Sequence, residues 1–99
     1  MSKRFVFLPE ALADIQEITR YIAADNPGAA RRLKESIQAA CERLCDYPHM
    51  GQLRADLTTA PVHFWPVHTN YMIVYNLTRS PLEIVRVLHN ARHLPSVLQ

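Results

Sequence analysis

The side chains of this sequence that could do chemistry gather in its second half. His63, His68, His89 and His93 are four of the five histidines, and Arg54, Arg86 and Arg92 stand among them. A histidine titrates near neutral pH and can take a proton as base or give one as acid. An arginine presents a planar fork of donors that matches a phosphate. Together these types suit metal-free RNA cleavage: one group deprotonates a ribose 2′-hydroxyl, another protonates the leaving oxygen, and guanidiniums stabilise the charged phosphorane. Their spacing does not by itself define a site, because a histidine at a strand end is equally a solvated surface group.

Other chemistries find less support. The chain has only Gly28 and Gly51, so a glycine-rich phosphate loop is excluded. Beyond residue 45 the only carboxylates are Asp46, Asp56 and Glu83, too few and too scattered for a two-metal nuclease. Ser36 and Ser80 lack the surroundings of a nucleophile elbow. Cys41 and Cys45 are four apart on an expected helix, a poor disulfide geometry, and read as small core residues in a reducing compartment. Neither this pair nor His89 with His93 brings the further ligands a metal needs, so no metal and no cofactor is expected.

Positioning these groups falls to one domain spanning residues 1–99. The net charge of +2 makes the chain as a whole no polyanion binder. Residues 57–99, however, carry Arg79, Arg86 and Arg92 against the single acid Glu83, so the second half is the basic half. The apolar run Phe5 to Leu8 is too short for a signal peptide or a membrane span, and a cytoplasmic protein without membrane contact is expected.

The pattern along the chain predicts an α+β fold. Phe5 to Leu8 reads as a short strand before Pro9, which opens a helix running to about Asp25. On it Ala11, Ile15, Ile18 and Ile22 form one stripe, with Leu12 and Tyr21 at its margins and Asp14, Glu17 and Arg20 outside it. Asn26 suits an N-cap and Pro27 a first helical position, so a second helix follows at once. Its seam is Ala30, Leu33, Ile37, Ala40 and Leu44, Arg31 and Glu35 are spaced for a surface pair, and Pro48 and Gly51 stop it. After an irregular stretch from Gln52 to Pro61, the runs Val62–Val67, Tyr71–Leu77 and Leu82–Leu88 predict a three-stranded antiparallel meander in one small sheet.

Both faces of that sheet are apolar. Tyr71, Ile73 and Tyr75 alternate with Met72 and Val74, and Ile84 and Leu88 with Val85 and Val87. Two helices cover one face; segment 52–61, the C-terminal tail, another subunit or a partner must cover the other.

The ordered set Ala11, Asp14, Ile18, Tyr21, Ile22, then Asp25-Asn26-Pro27, Ala29-Ala30-Arg31, Pro48, Gly51, Pro66-Val67, Tyr71, Ile73, Tyr75, and finally Glu83-Ile84, Arg86-Val87-Leu88-His89, Ala91 and Arg92, resembles the ParE/RelE superfamily of toxins, also called plasmid stabilisation proteins, from bacterial type II toxin–antitoxin systems. The resemblance covers nearly the whole chain. His63 stands where many relatives carry an arginine, Asn76 replaces a common arginine and His93 a common acid.

The ribosome-dependent RNases of the RelE type carry many lysines and arginines and a C-terminal tyrosine. This chain has no lysine after Lys34 and no tyrosine after Tyr75, and so looks more like the ParE branch. That resemblance implies inhibition of DNA gyrase by protein binding, without catalytic residues, with Arg86, His89 and Arg92 as candidate target contacts. The alternative it leaves is an mRNA interferase acting on the ribosome through the same end, with His63, His89, Arg54, Arg86 and Arg92. A third reading is a degenerate, non-toxic member that still binds antitoxin. The resemblance also implies a hetero-oligomer with a cognate antitoxin, whose disordered C-terminal segment folds across the toxin, often along the helical hairpin and sheet; Leu12, Tyr21, Leu33 and Ile37 are expected to border that groove.

Overall fold

The computed structural model describes residues 4–54, 56, 58–68, 70–78 and 80–89. In chain order they form β1 (Phe5–Phe7), α1 (Pro9–Ala23), α2 (Pro27–Asp46), a single 3-10 turn (Pro48–Met50), β2 (Gln52–Leu53), β3 (His63–Val67), β4 (Tyr71–Asn76) and β5 (Leu82–His89). Pro9 and Pro27 occupy first-turn positions of the two helices, and the Asn26 side chain accepts from the Ala29 N–H at 3.0 Å. Helix α1 stops two residues before the expected Asp25. Asn26 must leave the helical conformation to cap α2 (φ −148°, ψ 92°), and Pro27 disfavours a helical residue before it. The N–H groups of Asp25 and Asn26 both turn back to the Ile22 carbonyl, which closes the hairpin almost without a linker.

The sheet has five strands in the order β1-β5-β4-β3-β2. β3, β4 and β5 make the expected antiparallel meander, β2 adds to β3 antiparallel, and β1 adds to β5 in parallel. Strand β2, inside the stretch read as irregular, is two residues long, too short to show an alternation. The N-terminal strand joins the meander in one sheet because the helical hairpin carries the chain across the sheet and returns it to the far edge.

A main core lies between the helices and the sheet, built from Ile15, Leu33, Ile37, Cys41 and Leu44 against Ile73, Tyr75, Ile84 and Val87. Cys41 is fully buried and Ala40 only partly, so the seam of α2 passes through 41. A second cluster, Val62, Phe64, Val74 and Leu88 with Met72 and Val85, occupies the other face. Both faces are thus apolar and both are substantially buried. The assignment of faces along β5 differs from strict alternation. Val74 pairs with Arg86 but Tyr75 with Ile84, so Val85 is a bulge residue and the alternation inverts across it. Ile84 and Val87 therefore share the helix side, while Val85 and Leu88 share the other.

The turn after α2 is fixed by one tyrosine. Tyr75 Oη accepts from the Gly51 N–H at 2.9 Å and donates to the Pro48 carbonyl at 2.6 Å. A Cβ on Gly51 would collide with that hydroxyl and stand 2.8 Å from the Phe64 carbonyl oxygen. Glycine is needed here for close approach; its φ of −76° is one any residue adopts.

Candidate functional site

Beyond Phe7, where β1 gives way to α1, the outer edge of β5 has lost its strand neighbour. Asp14, one and a half turns into α1, takes that place. Its carboxylate accepts from the Val87 N–H at 3.0 Å, from Arg86 Nε at 2.7 Å and from Arg86 Nη2 at 2.9 Å. The Asp14 and Arg86 side chains are only 15% and 26% exposed, so the ion pair is shielded from solvent. Hydrogen bonding to Asp14 pushes the Arg86 guanidinium above its ordinary value, which keeps it charged. Helical spacing had placed Asp14 on the wet side of α1; the structure makes it the clasp between helix and sheet. A free carboxylate over an open strand edge is satisfied by a side chain 72 residues away, and no local pattern signals that.

Arg86 is therefore held by two of its donors and does not project as an unpaired cation. His89 ends the same strand opposite Tyr71, their rings edge to face at 5.3 Å between centroids. Val67, Tyr71 and His89 are cross-strand neighbours, so His68, next after Val67, reaches the same end of the sheet. His68 has a left-handed backbone (φ 53°), and its Nε2 lies 2.9 Å from Ser36 Oγ, joining the β3–β4 turn to α2. Arg92 and His93 lie outside the described residues.

His63 sits elsewhere. It pairs with Tyr75 while His89 pairs with Tyr71, four residues along β4, which is about 13 Å of strand. Its ring leans on Tyr75 at 5.7 Å and meets His49 edge-on at 6.3 Å, and its buried Nδ1 has no hydrogen-bond partner. Burial, and then the neighbouring His49, push the His63 pKa below its ordinary value. Arg54 follows Leu53, the partner of His63, and is held by Asp56 through Nε (2.9 Å) and Nη2 (2.7 Å). The sequence-predicted acid–base set is thus split: Arg54 and His63 at one end, His89 at the other with His68, whose Nε2 is engaged by Ser36 Oγ, and Arg86 at the flank. Among the described residues no three histidine, cysteine or acidic side chains converge.

Of the residues expected to border a partner groove, Leu12 and Tyr21 are exposed, at 45% and 82%. Leu33 and Ile37 are not available: each is 2% exposed and sealed in the main core, because their spacing on α2 is that of the buried seam. Leu12 and Tyr21 are nine residues apart, half a rotation of the helix, and so flank the buried stripe of α1 on opposite sides. They cannot border one groove.

A helical hairpin over a five-stranded mixed sheet, joined by an aspartate–arginine pair, makes this a small α+β domain. The family model described as the ParE toxin of type II toxin-antitoxin system, parDE, matches residues 5–94, and the chain belongs to this family. It is 35% identical over 82 residues to "Toxin RelE2" of Caulobacter vibrioides, covering 83% of this chain and 89% of that protein. A solved structure described as "Chromosomal ParDE TA system from P. aeruginosa" matches with a TM-score of 0.70, over 86% of this chain and 92% of that one. At 16% identity that likeness is one of fold. No helix among the described residues is long and apolar enough to cross a membrane.

Proposed function

We propose that this toxin acts by binding DNA gyrase and is held in check by a cognate antitoxin, with which it forms a hetero-oligomer. The observation that carries this reading is the separation of His63 from His89 by about 13 Å of strand. A general acid and a general base for one phosphodiester must both come within hydrogen-bond reach of it, and these two do not. Pairing of Arg54 with Asp56 and of Arg86 with Asp14 further reduces what could clamp a phosphorane. Binding needs no such convergence. The target contact is assigned to the His89 end of β5, with Arg92 three residues on, and Arg86 serves it by fixing the strand through Asp14.

The test is purified protein in a gyrase supercoiling assay beside an mRNA cleavage assay on translating ribosomes. The expected result is lost supercoiling with cleaved DNA accumulating and intact mRNA, and inhibition weakened about tenfold, roughly 1.4 kcal/mol, by His89→Ala with Arg92→Ala. Cut mRNA with normal gyrase would overturn the reading.

A further inference from the structure

The turn after α2 and the third strand bring two imidazoles together from different elements. His49 stands on the 3-10 turn Pro48–Met50, and His63 opens β3. Their rings meet edge to face, 6.3 Å between centroids and 79° between planes. Tyr75 fixes that meeting. It is the strand partner of His63, and its hydroxyl holds the turn at both ends, donating to the Pro48 carbonyl and accepting from the Gly51 N–H. One buried side chain thus ties the segment carrying His49 to the strand beside His63.

His63 has a nitrogen to spare. Its Nδ1 is buried and has no hydrogen-bond partner. A buried polar atom in that state is uncommon in native folds and calls for a ligand, an ion or a water to complete it. The second imidazole beside it argues for an ion, because neutral imidazole nitrogen is a ligand for zinc, copper and nickel, whereas magnesium and calcium prefer oxygen. The nearest charged group in sequence pairing, Arg54 after the β2 partner of His63, is already neutralised by Asp56. Around a tetrahedral ion with metal–nitrogen bonds of about 2.0–2.1 Å, two imidazole centroids stand roughly 5 Å apart, so the pair must close by about 1 Å. His49 is exposed on its turn and can make that movement by rotating its side chain.

We propose that His49 and His63 form a two-imidazole site for a borderline transition-metal dication such as Zn²⁺, with Nδ1 of His63 as one ligand and water completing the coordination. Two protein ligands make it an open, exchangeable site, unlike the closed four-ligand structural type. Its occupant pins the turn after α2 to strand β3. The two histidines carry no metal-ligand spacing along the chain, and only the folded sheet pairs them. The site lies about 13 Å of strand from His89 and does not depend on the target reading above.

The experiment titrates the full chain, purified free of metal, with Zn²⁺ and follows the imidazole nitrogens by NMR. A saturable shift of the His49 and His63 ring signals, Nδ1 of His63 among them, is expected, with His68 and His89 unmoved and no response to Mg²⁺. Because His49 is exposed, His49→Gln should keep the fold and its unfolding midpoint in urea. It should weaken zinc binding by more than the roughly tenfold that losing even an outer-shell partner costs. Zinc should raise the unfolding midpoint of the wild type and leave that of His49→Gln where it is, since an ion that binds only the folded chain stabilises it. Cys45→Ser should bind zinc as the wild type does. Shifts centred on His68 or His89, undiminished binding by His49→Gln, loss of binding in Cys45→Ser, or no saturable shift overturns the proposal.

Discussion

At the scale of single residues, Gly51 and Tyr75 hold the turn after α2 by mutual exclusion: the hydroxyl fills the space a Cβ would need, and in return receives the Gly51 N–H. Tyr75→Phe strands that N–H and the Pro48 carbonyl and should cost about 1–3 kcal/mol in urea unfolding. Gly51→Ala should cost about as much through overpacking, and the double variant less than the sum, because removing the hydroxyl makes room for the methyl. Strict additivity would contradict the contact. His63 gives a pH signature. Its folded pKa lies below the ordinary value near 6.5, so the unfolded chain takes up the proton first as pH falls. The stability it supports is present above pH about 6.5 and is lost as the pH drops from there through the lowered value. Unfolding midpoints at stepwise pH should fall more steeply for the wild type than for His63→Gln in that window; parallel curves would contradict the assignment.

At the scale of elements, one carboxylate, that of Asp14, makes the polar joint between α1 and β5 beside their apolar packing. Asp14→Ala leaves Arg86 without its partner and the Val87 N–H open on the sheet edge, and should destabilise by about 2–3 kcal/mol. Hydrogen exchange at Val87 should accelerate with it, while the Ile73 amide inside the sheet keeps its protection; an unchanged Val87 amide would contradict the clasp. The same joint shows what a sequence can and cannot disclose. Both prolines, the Asn26 cap and the buried stripes were readable because each signal is local to its helix. The meander was readable from three apolar runs. The bulge at Val85 was not, since the alternation around it is apolar on both faces and an inverted phase looks the same. Nor was the role of Asp14: a helix wheel reports only the helix, and its partner is a strand formed at the other end of the chain. Leu33 and Ile37 were misplaced at a groove for a related reason, because a seam that buries against a sheet and one that awaits a partner have the same spacing.

At the scale of the whole molecule, function follows from how the sheet distributes its groups. The residues whose types suggested RNA cleavage are real features of the sequence, yet the strands carry His63 and His89 to opposite ends and acids occupy Arg54 and Arg86. What remains is a scaffold whose strand β5 is clasped to the first helix through Asp14. Family membership was legible from the ordered pattern along the chain; the division of surfaces was not, because it depends on which charges pair once the fold closes. The most direct measurement of the central claim is the topology of a reporter plasmid in a bacterial host while the chain is induced without antitoxin. Loss of negative supercoiling, with gyrase-linked breaks and uncut transcripts, is the predicted result. Normally supercoiled plasmid with transcripts cleaved on the ribosome would contradict it.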